Sequence, residues 1–427
     1  MLRRAKSAKG GKRFGCSGYF AIFEPEICLL DMDFLSHKVQ ALGESETLAM
    51  ARLSRELKEQ GHDVINLSLG EPDFDTPDFI KKAAHEAIDA NFSHYTPVPG
   101  YKDLQEAIQR KFKRDNGLDY KLTEIVASTG AKQSIANVVF ALVEEGDEVV
   151  LPVPYWVSYK EMVNYAGGTC VFVEAGIEED FKVSAAKLEA AITPNTKLVI
   201  FSSPCNPSGS VWTYEELKEW AAVFERHPHV FVIADEIYEL MNYSGKNPSL
   251  ASFAAIRDRV ITVNGLSKGF AMTGWRFGYI GANEQIAQAV VKIQGQYTSA
   301  TSSVTQRAAI AALNADPSEV QYMKDEFLRR REIALELLSE IRGLNCNRPD
   351  GAFYIFPEVS EFLGKSYNGK KIENSKDLCM YLAYEAHVVI TPGGAFGMDN
   401  HIRISYAASE KDIRESIRRI KTALEKL

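Results

Sequence analysis

Apolar residues recur along this chain with two distinct periods. After Ser45, the side chains of Leu48, Met50, Leu53 and Leu57 fall on one side of a helical wheel, and Gly61 is a natural stop. Leu104, Ala107, Ile108 and Phe112 repeat that spacing, which predicts a helix over 102–114 with Gly117 just beyond it. Between these two segments, Val64-Ile65-Asn66-Leu67 reads as a short strand ending at Gly70-Glu71-Pro72.

The middle of the chain alternates short β-rich runs with helical patterns. The runs are Glu148–Leu151, Thr169–Val173, Leu198–Ser202, Val230–Ala234 and Val260–Val263, and helical stretches such as Tyr214–Glu225 lie between several of them. Such alternation predicts a mostly parallel sheet with helices on both faces. Continuous apolar runs suit strands buried on both sides. After about residue 320 the pattern changes to a long charged helix (318–340), strand-like runs at Ala352–Phe356, Val388–Thr391 and Ile402–Tyr406, and a last helix opened by Ser409 with Asp412 three residues on. Ile413, Ile417, Ile420 and Leu424 form its apolar stripe. This predicts a second, α+β domain. The Arg329-Arg330-Arg331 run reads as a solvated helix face.

Composition narrows the function classes. The chain has 427 residues, ordinary apolar content and a formal charge of −8, so two or three domain-sized units fit. A mildly acidic chain is a poor nucleic-acid binder, which needs many Lys/Arg contacts to phosphate. No apolar run reaches about 18 residues, so no membrane helix is expected. Cys16, Cys28, Cys170, Cys205, Cys346 and Cys379 show no metal-ligand spacing. No metal is expected, and reduced thiols in a cytoplasmic protein are the favoured reading. Residues 1–31 carry six basic side chains and three acidic ones, without helical periodicity. They are read as an extra segment outside the fold, preceding a patterned body from Met32. N-terminal sequencing of the native protein checks this, and a mature start upstream of Met32 would refute it.

Candidate chemistry sits at predicted strand ends, where ligands bind in open α/β sheets. One buried run leads into Asp235-Glu236-Ile237-Tyr238, and a buried carboxylate needs a partner. Another leads into Asn264-Gly265-Leu266-Ser267-Lys268-Gly269, where a desolvated lysine could serve as a nucleophile. Arg276 follows in Thr273-Gly274-Trp275-Arg276-Phe277-Gly278. Ser202-Ser203-Pro204-Cys205-Asn206-Pro207 ends a third run, its prolines presenting Asn206. A fourth, Ile125-Val126-Ala127, leads through Ser128-Thr129-Gly130-Ala131-Lys132 into a helix, whose start is a ready anion site.

In order and spacing, these residues, with Gly70-Glu71-Pro72-Asp73-Phe74-Asp75-Thr76-Pro77 and Arg403, resemble the class I/II aminotransferases of fold type I, in particular the bacterial aspartate aminotransferase subgroup. The resemblance spans about residues 33–427. It implies an α/β fold: a large domain with a mostly parallel seven-stranded sheet between helices (80–320) and a small α+β domain (321–427, with an arm and further part from 32–79). It implies pyridoxal 5'-phosphate as cofactor and transfer of an amino group from an L-amino acid to a 2-oxo acid by a ping-pong cycle. Lys268, Asp235 and Tyr238 would be catalytic. Lys268 would hold the cofactor and move the proton at Cα, and Asp235 would pair with the ring nitrogen. Tyr238 and Asn206 would face the ring's phenolic oxygen, and Trp156 would stack on the ring and border the substrate. Gly130, Ala131, Lys132, Ser267 and Arg276 would bind the phosphate, joined by Tyr95 of a second subunit in a homodimer with shared sites. Arg403, Gly70 and Asn206 would take the substrate carboxylate.

Two departures matter. Gly265 stands where relatives often have a serine, and no cation is securely placed to meet a side-chain carboxylate. Aspartate with 2-oxoglutarate is the leading substrate pair. Aromatic or prephenate-type transfer and C–S β-elimination on the same fold stay open. A degenerate regulatory relative is disfavoured, since no catalytic position is lost. A nicotinamide-binding fold is disfavoured for want of a G-x-G-x-x-G after a strand.

Overall fold

The buried runs assemble into one seven-stranded sheet. The computed structural model describes residues 35–427, so the readings made for residues 1–31, Cys16 and Cys28 lie outside the described residues. In spatial order the strands are Ile125–Ser128, Gly278–Gly281, Val260–Gly265, Phe231–Asp235, Thr196–Ser202, Glu148–Val153 and Thr169–Glu174. All are parallel except Gly278–Gly281, which runs antiparallel to both neighbours. The strand alternation predicts the two apolar layers: Leu198 and Ile200 enter one core, Val199 and Phe201 the other. The sheet matches the expected fold class.

Gly278–Gly281 was not legible as a strand. It is short and bounded by glycines, which carry no periodicity signal. Packing explains the first of them: a Cβ on Gly278 would strike the backbone of Gly130 and Ala131. The bare residue lets the strand lie directly against the start of helix Ala131–Leu142.

A three-stranded antiparallel sheet, in the order Thr391–Pro392, Ile402–Ser405, Tyr354–Ile355, holds Arg403. Ile65–Asn66 pairs in parallel with Val388–Val389, so the early and late parts of the chain share a ladder. The final helix is Glu410–Leu424; Ser409 caps it by accepting from the Asp412 N–H, and its expected stripe is buried. The 102–114 prediction resolves into an α-helix, Lys102–Lys111, and a wider turn, Phe112–Asn116, ended by Gly117 at φ +70°. Residues 41–427 form one unit; within residues 1–40, the described part contains one helical turn, His37–Gln40.

Two readings need correction. Leu48 is 65% exposed rather than core-facing, although Met50 and Leu57 of the same helix are buried. Of the arginine run, only Arg329 lies on a solvated face. Arg330 and Arg331 are 7% and 5% exposed. Arg330 bonds Asp73 at 2.7 Å and Glu326 at 2.8 Å and lies over the Phe74 ring. Arg331 donates to the Pro349 carbonyl at 2.6 Å. Flat guanidinium groups can be buried when acids, carbonyls and aromatic faces meet them, which a charge run cannot announce.

Candidate active site

The carboxyl ends of the sheet strands open into a cleft of about 320 Å³. Its lining includes Gly70, Ala131, Lys132, Trp156, Asn206, Asp235, Tyr238, Ser267, Lys268, Arg276 and Arg403. The residues singled out from sequence therefore converge, with two exceptions. Gly130 sits just behind the lining as the N-cap of helix Ala131–Leu142. Tyr95 lies away from the cleft and is 99% exposed.

Lys268 follows strand Val260–Gly265 and donates to the Gly70 carbonyl at 2.5 Å. Burial, with Arg403 and Arg276 nearby and Glu71 opposing them, pulls its amine down to about 8. A useful fraction is then neutral near neutral pH, as a nucleophile or base must be. Asp235 ends its own strand. Its Oδ2 accepts from the Tyr159 hydroxyl at 2.7 Å and its Oδ1 from the Ile237 N–H at 3.2 Å. Burial pushes it up to about 6. No described cation forms an ion pair with it, so its described donors, Tyr159 and Ile237, are both neutral.

Arg403 is 2% exposed. It donates to Asn206 Oδ1 at 2.9 Å and to the Ser68 carbonyl at 2.5 Å, and its Nε has no partner among the described residues. Among the described residues it has no carboxylate partner either, and burial pushes its pKa down. Asn206 thus steadies Arg403. The Tyr238 hydroxyl bonds the Tyr354 hydroxyl at 2.7 Å. Trp156 is half-buried, with the Lys132 ammonium 5.0 Å from its ring centre. Partial burial and the Arg276 charge lower the Lys132 pKa, so two cations approach each other at a helix start. The Gly130 N–H itself is given to the Ser128 carbonyl at 2.9 Å. Gln133 and Ser134 give their N–H groups to the Gly130 carbonyl, at 3.0 and 3.2 Å, so only those of Ala131 and Lys132 precede the helical ladder.

These features fit the group that the resemblance implies. Buried Asp235, held only by neutral donors, suits a cationic ring nitrogen. Lys132, Arg276 and the helix start suit a phosphate. Gly130 keeps the approach clear, since a Cβ there would lie 2.6 Å from Arg276 Nη2, and its φ is +86°. Gly265 has a packing reason: a Cβ would come within 2.8 Å of the Phe277 carbonyl oxygen.

Sequence reading missed Tyr159 and Tyr354. Both look like core aromatics, and nothing in their spacing reports a hydroxyl aimed at a catalytic group. Ser45, Thr47 and Leu48 also line the cleft. The exposed Leu48 follows from that.

Glu236, next to Asp235, faces away from this chemistry. It is 2% exposed, accepts from Asn116 at 3.3 Å and leaves Oε1 unpartnered among the described residues. Burial, reinforced by Glu239, pushes its pKa up to about 8. The folded protein therefore keeps a proton that the unfolded chain releases from about pH 4.5. Stability from this group is full below that pH and declines as pH rises through 8. Glu236→Gln should flatten this decline, by up to a few kcal/mol, in urea unfolding of the apoprotein at pH 5 and pH 9. An unchanged slope would refute the assignment.

The family model for aminotransferase class I and II matches residues 62–420. A probable aspartate/prephenate aminotransferase from Rickettsia bellii is 46% identical over 395 residues, covering 92% of this chain and 99% of that protein. Among solved structures, the aspartate aminotransferase from Rhizobium meliloti superposes with a TM-score of 0.88 at 40% identity, covering 92% of this chain and 98% of that one. The aspartate aminotransferase from Thermus thermophilus, solved with maleate, gives 0.86 at 37% identity, covering 91% and 99%.

Proposed function

Because the chain belongs to the class I and II aminotransferases, we propose that it moves the amino group of L-aspartate to 2-oxoglutarate, using pyridoxal 5'-phosphate. The carrying observation is Arg403, a buried guanidinium with no carboxylate partner among the described residues, in one cleft with a lysine pulled down to about 8. The names of the relatives support aspartate.

When bound, the cofactor supplies an aldehyde for amine exchange and a protonated ring that accepts the electron pair released at Cα. Arg403 grips the α-carboxylate with its planar fork, and Asn206 fixes the plane of that fork. Lys268, neutral in part, would take the proton from Cα and deliver it to the cofactor's aldehyde carbon, which lies beyond the shared nitrogen. Asp235 holds a proton at the ring nitrogen. Tyr159 keeps Asp235 aimed, and Tyr238 presents its hydroxyl to the ring oxygen.

We take 80–320 as the cofactor domain and 321–427, with the segment before 80, as the second domain. The ladder between Ile65–Asn66 and Val388–Val389 supports that grouping. Arg403 belongs to the second domain, so gripping a carboxylate would favour closure and expel water from around Cα. Exposed Tyr95 supports a homodimer in which it reaches the partner's phosphate site. No helix among the described residues is long and apolar enough to cross a membrane. Free Cys170, Cys205, Cys346 and Cys379 support a cytoplasmic setting.

A half-reaction panel tests the reading. Purified holoenzyme mixed with aspartate, glutamate, phenylalanine and alanine should lose its visible band fastest with aspartate. A faster loss with phenylalanine would overturn the donor. Pyruvate and ammonia released from a β-substituted donor without any oxo acid would favour elimination instead.

A further inference from the structure

Tyr354 stands on the strand beside Arg403 and is fully buried. It touches three parts of the cleft. Its hydroxyl bonds the Tyr238 hydroxyl at 2.7 Å. Its ring lies under the Arg403 guanidinium, 4.5 Å from ring centre to Cζ. Its hydroxyl also fills the space beside Gly70, so that a Cβ on Gly70 would collide with it. Gly70 is the residue whose carbonyl receives Lys268.

Two hydroxyls that share one hydrogen bond have two protons between them. One proton lies in the bond, and the direction of donation decides where the other points. The guanidinium over its ring draws electron density from Tyr354 and makes its hydroxyl the better donor. Tyr238 then accepts, and its own proton is free to turn into the cleft.

We propose that Tyr354 is a positioning residue that donates to Tyr238, so that the Tyr238 proton faces the cofactor, while its ring holds Arg403 in place for the substrate carboxylate. This rests on the reading of Tyr238 and Arg403 given above. It joins two functions through one side chain: the hydroxyl serves the cofactor and the ring serves the substrate. The two can be separated by substitution.

Tyr354→Phe keeps the ring, and Tyr354→Leu removes both parts. Each is prepared as holoenzyme. The pH midpoint of the cofactor's visible band is recorded, and maleate is titrated as an unreactive dicarboxylate probe. A hydroxyl donated by Tyr238 stabilises the ionised ring oxygen. Weakening it should raise the midpoint by about half a unit to one unit in Tyr354→Phe. Maleate affinity should stay within about threefold of the parent in that variant, and fall roughly tenfold in Tyr354→Leu. In a Tyr238→Phe background, Tyr354→Phe should move the midpoint no further. An unmoved midpoint in the single variant, or full maleate affinity in Tyr354→Leu, would overturn the proposal. Failure of the underlying reading looks different: the parent protein would then show no visible band, or no maleate binding, before any substitution.

Discussion

Lys268→Ala should abolish amino transfer, lowering turnover by at least about 10⁴-fold. The size follows from two roles placed on one atom. On the proposed reading Nζ is the nucleophile that holds the cofactor and also the base that moves the Cα proton, and no other described amine lies so deep in the cleft. Lys132 is more exposed, and its ammonium lies over Trp156. The remaining cleft cations are guanidiniums, which do not shed a proton near neutral pH. Borohydride reduction of the parent enzyme, followed by peptide mass spectrometry, should find the cofactor fixed to Lys268, and the variant should show no adduct. The proposed phosphate cradle of Lys132, Arg276 and the helix start is untouched by the substitution, so the variant should still retain cofactor through dialysis. An adduct on another lysine, or turnover within tenfold of the parent, would refute the role.

Arg403→Ala should cost about 2–5 kcal/mol in amino-acid binding, because the substrate carboxylate would enter a dry site and find no countercharge. The loss should appear mainly in KM and in maleate affinity, less in the rate at saturation. Arg403→Lys should fall between, since a single ammonium cannot match both carboxylate oxygens while also reaching Asn206. Isothermal titration with maleate gives the comparison directly. Wild-type affinity in Arg403→Ala would remove this arginine from the carboxylate site.

Much of this architecture could be read from residues alone. The doubly covered sheet announces itself in runs such as Leu198–Ser202, whose apolar side chains face both layers. The principal polar groups were legible because Asp235 and Lys268 interrupt apolar runs at strand ends, where a charge needs a reason. The missed features lack that contrast. Tyr159 and Tyr354 carry one oxygen on a large apolar ring, and only packing shows where that oxygen points. The Gly278–Gly281 strand depends on a close approach to a helix some 150 residues earlier in sequence, which no local pattern encodes. Arg330 and Arg331 look like surface charge until Asp73, Phe74 and the Pro349 carbonyl close over them.

The unpaired guanidinium of Arg403 has a practical side. Arg403 is a buried cation whose partners among the described residues are all neutral, so it suits any small carboxylate, whether or not that carboxylate bears an amine. Acetate, formate or citrate used as buffer would occupy it and compete with the donor. Because such anions would bind the folded chain and not the unfolded one, they would also raise its melting temperature as their concentration rises. Kinetic constants for this enzyme therefore belong in buffers free of carboxylates, while its storage solutions gain from containing them.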